Sequence, residues 1–201
     1  MSSGTKNTNI LFFGPQGVGK GTQAAIVAPK LQLAHVSTGD LFRRNIAEKT
    51  PLGLRVEEIL ATGALVPDDV TIAMLSAHLL TLRETEPGLR GIVFDGFPRT
   101  VPQAESLDEF LRTRGERVDA VVYIDAPREV LIERMLSRGR ADDTREAIQT
   151  RLDRYAENTE PLLSLYEKRG LLHRVNGNQR IDAVTNEIVS ALSPLFEGGQ
   201  G

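Results

Sequence analysis

Short apolar runs alternate along this chain with longer segments in which apolar residues recur every three or four positions. The short runs predict strands at 9–13, 34–36, 92–95, 121–125 and 172–175. The longer segments predict helices at about 20–31, 38–47, 52–62, 67–83, 101–114, 127–137, 143–168 and 181–194. Strands and helices in alternation indicate an α/β fold with a parallel sheet buried on both faces.

Local signals refine part of this pattern. Asp143 and Glu146 form a capping pattern at the start of the helix predicted at 143–168. The short helices 38–47 and 52–62 lie where the sheet needs only one crossover. We interpret them either as a lobe that closes over a second ligand or as a surface helical hairpin, and the pattern alone favours neither.

Length and composition bound the possibilities. At 201 residues the chain suffices for one full core, and we expect a single domain at 9–196 between disordered tails at 1–8 and 197–201. No apolar run approaches the roughly 20 residues of a membrane span, and the start lacks a signal-peptide core. We therefore expect a protein that does not enter membranes.

The cysteine count and the charge exclude further classes. The chain has no cysteine, which excludes disulfides and thiolate zinc sites and is consistent with a reducing cytoplasm. A formal net charge of −3 and a pI near 5.7 argue against nucleic-acid binding through an overall basic surface. Binding of several phosphates would need locally gathered arginines.

The strongest chemical signal is the segment ILFFGPQGVGKGT at 10–22, an apolar strand that leads through a glycine-rich turn into a helix. Its spacing is that of a Walker A phosphate-binding loop, in which backbone N–H groups and Lys20 surround phosphate oxygens. Gly21 stands where the usual motif has Ser or Thr, and Thr22 follows one place later. The turn glycines permit the close backbone approach that phosphates need, and they are Gly14, Gly17 and Gly19.

Two further segments carry candidate chemistry. The strand 92–95 ends in Asp95, which fits a carboxylate that meets magnesium beside such a loop, although aspartate also ends strands as a turn former. In the segment VSTGDLFR at 36–43, helix capping by Ser37 or Thr38 is an adequate structural explanation. Capping does not account for Arg43.

Together these segments resemble the adenylate kinases of the nucleoside-monophosphate kinase family. The matching motifs occur in family order over about residues 9–180, and they are GPQGVGKGTQA at 14–24, VSTGDLFR at 36–43, FDGFPRTVPQA at 94–104, RGRADDT at 138–144 and RLDRY at 151–155. The resemblance implies a P-loop NTPase-type three-layer fold with a five-stranded parallel sheet, a helical AMP-binding arm at about 37–66 and a short lid at about 138–145.

The resemblance also implies the activity: reversible, Mg²⁺-dependent phosphoryl transfer from ATP to AMP giving two ADP, in adenine nucleotide homeostasis. The implied partners are ATP, AMP and ADP, with neither nucleic acid nor membrane, for a cytoplasmic monomer. Magnesium would enter with ATP and contact Asp95 through water. Zinc is not expected, because Arg138, Gly139 and Arg140 leave no room for the inserted lid domain of long-lid members.

The resemblance assigns roles residue by residue. The implied ATP contacts are Gly14, Gly17, Val18, Gly19, Lys20, Gly21, Thr22, Arg134, Arg138 and Gln179. The implied AMP contacts are Thr38, Arg43, Gly63, Leu65, Val66, Gly96, Arg99, Gln103, Arg140 and Arg151. The implied catalytic residues are Lys20, Arg99, Arg134, Arg140 and Arg151.

For some charged residues, a purely structural role remains an alternative to nucleotide binding. Arginine is the default cation of this chain, so a solvated helix face would explain most of the lid arginines. Asp142 and Asp143 match family positions that support the lid, yet helix capping explains Asp143 equally well. Arg154 is left as a surface residue, and Arg145 matches no family position.

The expected mechanism needs no general base, because the attacking phosphate oxygen of AMP is already anionic. The three histidines fit this view, since none lies in a motif and each is interpreted as a packing or surface residue, namely His35, His78 and His173. Gln16 departs from the common loop sequence and is expected to be tolerated, because backbone amides carry the binding.

The sequence argues against three alternative functions. A UMP/CMP kinase of the same family typically has Ala in place of Thr38 and Asn in place of Thr100, so both positions favour AMP. A P-loop switch that binds GTP needs an Asn-Lys-x-Asp segment, which the chain lacks. A non-catalytic homologue would be expected to lose Lys20 or Arg99, and both are present.

Overall fold

The computed structural model describes residues 7–61, 66–139 and 143–197 of the chain, without the side chains of residues 60, 61 and 160. Its centre is a five-stranded parallel sheet with the strand order β2-β3-β1-β4-β5. The strands are β1 Thr8–Phe13, β2 Ala34–Ser37, β3 Gly91–Asp95, β4 Val118–Asp125 and β5 Leu172–Asn176. The predicted α/β fold and its five strands are confirmed.

Helices cover both faces of the sheet, because alternate residues of each strand point to opposite sides. In β1, Leu11 and Phe13 join one apolar layer, whereas Ile10 and Phe12 join the other. The described helices are α1 Lys20–Lys30, α2 Thr38–Ala47, α3 Pro51–Ala61, α4 Asp68–Thr85, α5 Val101–Arg112, α6 Arg128–Arg138, α7 Arg145–Asn158, α8 Glu160–Lys168, α9 Ile181–Leu192 and α10 Pro194–Glu197. None of the helices in these ranges is long and apolar enough to cross a membrane.

The prediction of one helix at 143–168 was wrong, because the segment forms α7 and α8 with a break at Thr159. Pro161 explains the break, since proline has no N–H to continue the helical hydrogen bonds and clashes with the preceding turn. Pro194 likewise separates α9 from α10 within the segment predicted at 181–194. Each proline begins a new helix, where its missing N–H is not needed.

The predicted cap of α7 was also wrong. Thr144 caps this helix, and its hydroxyl accepts a hydrogen bond from the Ala147 N–H at 3.2 Å. The Asp143 carboxylate instead pairs with Arg138 and Arg151. A carboxylate that can bind two guanidinium groups gains more from these charged partners than from a single backbone N–H.

A small apolar cluster of Val56, Val66 and Val70 joins α3 to the start of α4, and α2 and α3 form a hairpin. Their close approach depends on Gly53, because a Cβ at this position would lie 1.9 Å from the carbonyl oxygen of Asn45. Residues 62–65 lie outside the described part of the chain.

The predicted tails lie mostly outside the described residues, at 1–6 and 198–201. Thr8, which was assigned to the first tail, begins β1, and Glu197, which was assigned to the second, ends α10. The N-terminal strand is anchored before it starts, because the Asn7 amide donates to Glu116 at 3.0 Å.

Candidate active site

A cavity of about 280 Å³ lies at the carboxyl edge of the sheet. Residues that directly follow β1, β2 and β3 line it, among them Gly14, Thr38 and Gly96, and α7 closes another side with Arg151 and Tyr155. Parallel strands end at one edge, so the sheet itself brings together residues far apart in sequence.

The glycine-rich turn lies at this edge and has the geometry that its sequence predicts. Gly14 has φ of 145°, and a Cβ at this position would lie 2.3 Å from the Ile124 carbonyl oxygen, so only glycine fits against β4. Helix α1 begins at Lys20, directly after the left-handed Gly19, and no side chain caps it. Its first N–H groups are therefore available to anionic oxygens. Val18 is buried between Gly14 and Gly177.

Lys20 crosses the loop and lies within the cavity wall. Its ammonium donates hydrogen bonds to the carbonyl oxygens of Gly14 and, at 2.9 Å, of Pro15. Burial lowers the pKa of Lys20 to about 8, an effect that the Asp95 carboxylate opposes and the Arg99 guanidinium reinforces. Because a bound phosphate would favour the charged ammonium, this lysine is suited to an anionic ligand.

Asp95 ends β3 beside α1, as the sequence predicts. Its Oδ2 lies 3.4 Å from where a Cβ of Gly21 would stand and 3.4 Å from Nε2 of His35. His35 therefore adjoins the site, which its position in the sequence did not indicate. Thr22, by contrast, is exposed on α1.

The surroundings of Asp95 are compatible with magnesium supplied together with phosphates. Magnesium prefers oxygen ligands and often uses one or two carboxylates with phosphate oxygens. Among residues 7–61, 66–139 and 143–197, no group of three or more His, Cys, Asp or Glu residues could hold a metal ion by itself. Asp95 fits this pattern as a single carboxylate next to the glycine-rich turn.

On the other side of the cavity, Thr38, Gly96 and Arg99 are in mutual contact. The Thr38 hydroxyl donates to the Gly96 carbonyl oxygen at 3.1 Å, and Nε of Arg99 donates to the same oxygen at 2.9 Å. Gly96 has φ of 80°, and a Cβ there would lie 3.1 Å from the Thr38 hydroxyl. Burial lowers the pKa of Arg99, while the Asp95 carboxylate opposes this effect.

Gln103 also lines the cavity, and its side chain is buried with 6% of the residue exposed. Its Oε1 accepts the Arg99 N–H at 2.7 Å, and its Nε2 donates to Oδ1 of Asp68 at 2.6 Å. The Thr100 hydroxyl donates to Oδ2 of Asp68 at 3.0 Å. Asp68 was missed as a site residue because its place in the first turn of α4 already explains an acidic residue.

Arg138 at the end of α6 and Arg151 in the middle of α7 converge on Asp143, whose side chain is fully buried. Arg138 donates to both carboxylate oxygens at 3.1 and 3.0 Å, and Arg151 donates to one of them at 3.0 Å. Arg134 donates to the Gly177 carbonyl oxygen at 3.0 Å. Of this group, Arg151 lines the cavity.

The structure does not bring every predicted residue to the cavity. Arg43 pairs with Asp40 on the surface of α2 and is 64% exposed. Gln179 donates to Asn176 and Glu187 at 2.9 Å. Three predicted residues lie outside the described part of the chain, namely Gly63, Leu65 and Arg140, and so does Asp142.

Several cavity residues were not predicted. Arg154, interpreted above as a surface residue, is exposed and also lines the cavity. Thr159, at the unpredicted helix break, donates to the Arg99 carbonyl oxygen at 3.4 Å. The Oε1 of Gln16 is buried and has no hydrogen-bond partner among the described residues. Other unpredicted lining residues are Phe42, Thr71, Tyr155 and Asn158.

Comparison with known proteins identifies the family. A family model described as adenylate kinase matches residues 12–171. The adenylate kinase of Nocardia farcinica is 44% identical over 184 aligned positions, which cover 91% of this chain and 98% of that protein. Adenylate kinase 1 of Nostoc sp. is 42% identical over 185 positions, covering 92% of this chain and 98% of that protein.

The adenylate kinase of Moorella thermoacetica is 41% identical over 215 positions, covering 91% of this chain and 97% of that protein. This longer alignment covers the same share of our chain as the Nocardia alignment, so the Moorella protein contains inserted residues that this chain lacks. On the motifs, the fold and these matches together, the chain belongs to the adenylate kinase family.

Proposed function

We propose that the protein transfers the γ-phosphoryl group of ATP to AMP, reversibly and with magnesium, to give two molecules of ADP. The observation that carries this proposal is the pair of cations, Lys20 and Arg99, that line one cavity and are both close enough to Asp95 to feel its charge. Among the described residues, neither has a carboxylate within salt-bridge distance, so phosphate oxygens are their natural partners.

In the proposed reaction, an AMP phosphate oxygen attacks the γ-phosphorus while the bond from that phosphorus to the bridging oxygen of ADP breaks. The attacking oxygen is anionic, so no residue needs to remove a proton. Catalysis then rests on alignment and on charge stabilisation by Lys20 and Arg99. Magnesium, bound beside Asp95, would supply neutralisation of phosphate charge.

The ATP phosphates would lie against the N-terminus of α1, whose first N–H groups have no side-chain cap in the described part of the chain. This supports the proposed ATP contacts of the segment 14–22. Arg134 already binds the Gly177 carbonyl oxygen, which places its stem beside the loop where we propose that adenine lies. We also propose ATP contacts for Arg138 and Gln179, on the family resemblance.

AMP would occupy the side of the cavity formed by α2, α4 and the segment after β3. Thr38, Val66, Gly96, Arg99 and Gln103 all line it, which supports their proposed role. Arg151 lines the same cavity and would contact the transferred phosphate. The resemblance alone supports the remaining proposed AMP contacts, which are Arg43, Gly63, Leu65 and Arg140.

We further propose that the segment 37–66 acts as a closing arm and 138–145 as a short lid. The first proposal is supported by the α2–α3 hairpin, which lies against the cavity at Thr38 and Phe42. The second rests on the resemblance, because Arg138, Gly139 and Arg140 leave no room for an inserted lid domain. A monomeric state rests on the resemblance, and a cytoplasmic location on the cysteine-free sequence.

A coupled assay of ADP formation from ATP and magnesium tests the proposal, with AMP run beside CMP, UMP and GMP. We expect AMP-selective turnover, and a fall in kcat by a factor of about 10² or more in Lys20→Ala, because the cation facing the transferred phosphoryl group is lost. Lys30→Ala, at the exposed far end of the same helix, is the matched control. Faster turnover of UMP or CMP, or nucleotide binding without turnover, would contradict the proposal.

A further inference from the structure

The side-chain amide of Gln103 is held from both ends inside the cavity. The Arg99 N–H donates to its oxygen at 2.7 Å, and its nitrogen donates to Asp68 at 2.6 Å. Asp68 is itself held by the Thr100 hydroxyl at 3.0 Å, through its other carboxylate oxygen. The network thus joins the first turn of α4 to the first turn of α5 through Asp68.

The chemistry of these partners permits only one orientation of the amide. A backbone N–H can only donate, so the atom opposite Arg99 must be the amide oxygen. An ionised carboxylate can only accept, so the atom opposite Asp68 must be the amide nitrogen. A glutamine amide usually rotates to suit its ligand, because its two ends have nearly the same shape. In Gln103 that freedom is removed by two independent partners.

Each end of the fixed amide keeps one hydrogen-bonding position, since the oxygen has a second lone pair and the nitrogen a second hydrogen. Adenine presents a donor, its amino group, next to the acceptor N1. Hypoxanthine and guanine present the reverse order, an acceptor O6 next to the donor N1–H. A rotating amide can pair with either order, whereas a fixed amide pairs with one and opposes the other.

We propose that Asp68 is a positioning residue that sets the base selectivity of the monophosphate site by fixing the amide of Gln103. The inference rests on the proposed function, because it takes Gln103 as the group that contacts the base. Asp68 acts on the base only through Gln103. Asp68 can set the base selectivity because its carboxylate only accepts hydrogen bonds and so fixes the orientation of the amide. A residue that merely tethers α4 to α5 could do so either as a donor or as an acceptor.

The test compares kcat/KM for AMP and for IMP in the wild-type protein and in Asp68→Asn. Asparagine has the same shape but can donate as well as accept, so Gln103 can rotate. The Arg99 N–H still favours the original orientation, so we expect a partial loss of selectivity. The AMP-to-IMP ratio should fall on the order of tenfold, the scale of one buried hydrogen bond that is no longer enforced.

The matched control is Asp69→Asn, the same change at the next residue, which is exposed in the same helical turn. Its AMP-to-IMP ratio should equal that of the wild-type protein. If Asp68→Asn lowers kcat/KM equally for AMP and for IMP, the ratio of the two values is unchanged. That result would show that Asp68 is only a tether between α4 and α5 and would overturn the inference.

The wild-type protein alone provides a second test, which does not depend on the folding of a variant. If it phosphorylates IMP as efficiently as AMP, the fixed amide does not select the base and the inference fails, while the proposed phosphoryl transfer stands. If it phosphorylates neither monophosphate from ATP, the proposed function fails and the inference fails with it. Strong preference for AMP, reduced in Asp68→Asn, is the expected result.

Discussion

The two edges of the sheet differ in how particular charged side chains are paired. At the amino edge, beside the starts of β1 and β4, the Glu116 side chain is 9% exposed and receives both terminal nitrogens of Arg83. The amides of Asn7 and Asn9 each donate to it as well, at 3.0 Å. At the carboxyl edge, Lys20 and Arg99 line one cavity, and neither has a carboxylate within salt-bridge distance in the described part of the chain.

This difference separates residues that stabilise the fold from residues that serve a ligand. A buried charge is costly unless it is paired and hydrogen-bonded. The amino edge meets that condition within the chain, so its charges hold β1 to β4 and α4. At the carboxyl edge, Lys20 and Arg99 have no such carboxylate in the described part of the chain, so phosphate oxygens of a bound nucleotide would pair with them. Mutations at the two edges should therefore change different measured quantities.

The largest effect is expected at Arg99. Its replacement by alanine should lower kcat by a factor on the order of 10³, because phosphoryl transfer depends strongly on a guanidinium that stabilises the transferred group. The free energy of unfolding should be nearly unchanged, since no carboxylate lies within salt-bridge distance of Arg99 in the described part of the chain and no ion pair is lost. A coupled assay and urea denaturation measure the two quantities. An unchanged kcat would remove Arg99 from the site, and Arg112→Ala on the exposed face of α5 is the control.

Glu116 should show the opposite pattern with a smaller effect. Glu116→Gln should lower the free energy of unfolding by about 2–3 kcal/mol, below the value for a fully buried pair because the Arg83 side chain is 27% exposed. We expect kcat to change by less than about twofold, since the pair lies at the far edge of the sheet. In Glu109→Gln, which alters the exposed pair with Arg112, urea denaturation should show no shift. A large loss of turnover in Glu116→Gln would break the contrast between the edges.

The smallest expected effect is a proton taken up by Lys20. Burial lowers the pKa of its ammonium from 10.5 to about 8, so in the free protein the group is largely neutral well above pH 8. Bound phosphate favours the charged form, so ATP binding above pH 8 should take up a proton, and affinity should fall by up to about tenfold per pH unit there. Calorimetry in two buffers of different ionisation enthalpy measures this uptake. Uptake that persists in Lys20→Met would assign the proton to another group.

Much of the site was predictable because its signals are local. The strand, the glycine-rich turn and the helix at 10–22 are contiguous, and Asp95 follows its own apolar strand. Each of these residues needs only its neighbours to take up its place. The prediction of one helix at 143–168 was wrong for a local reason too. The helical pattern runs on both sides of Pro161 and hides the break that this proline causes. The break it causes places Thr159 against the Arg99 carbonyl oxygen.

Other parts of the site have no local signal. His35 reaches Asp95 because β2 pairs with β3 in a register that sets Ser37 opposite Asp95. Asp68 reaches Gln103 across 35 positions of sequence, and in its own helix it is an ordinary first-turn acid. Neither contact follows from spacing along the chain, since each depends on how two elements pack.

By itself, therefore, the sequence determined the strands, most helices, the phosphate-binding turn and the family of this protein, because those features depend on contiguous residues and their periodicity. Only the tertiary structure decided which charges are paired, as Glu116 is, and which are left for a ligand, as Lys20 and Arg99 are. It also decided the orientation of the Gln103 amide. Pairing and orientation depend on distances between separate elements, and these distances exist only once the sheet and its helices have packed.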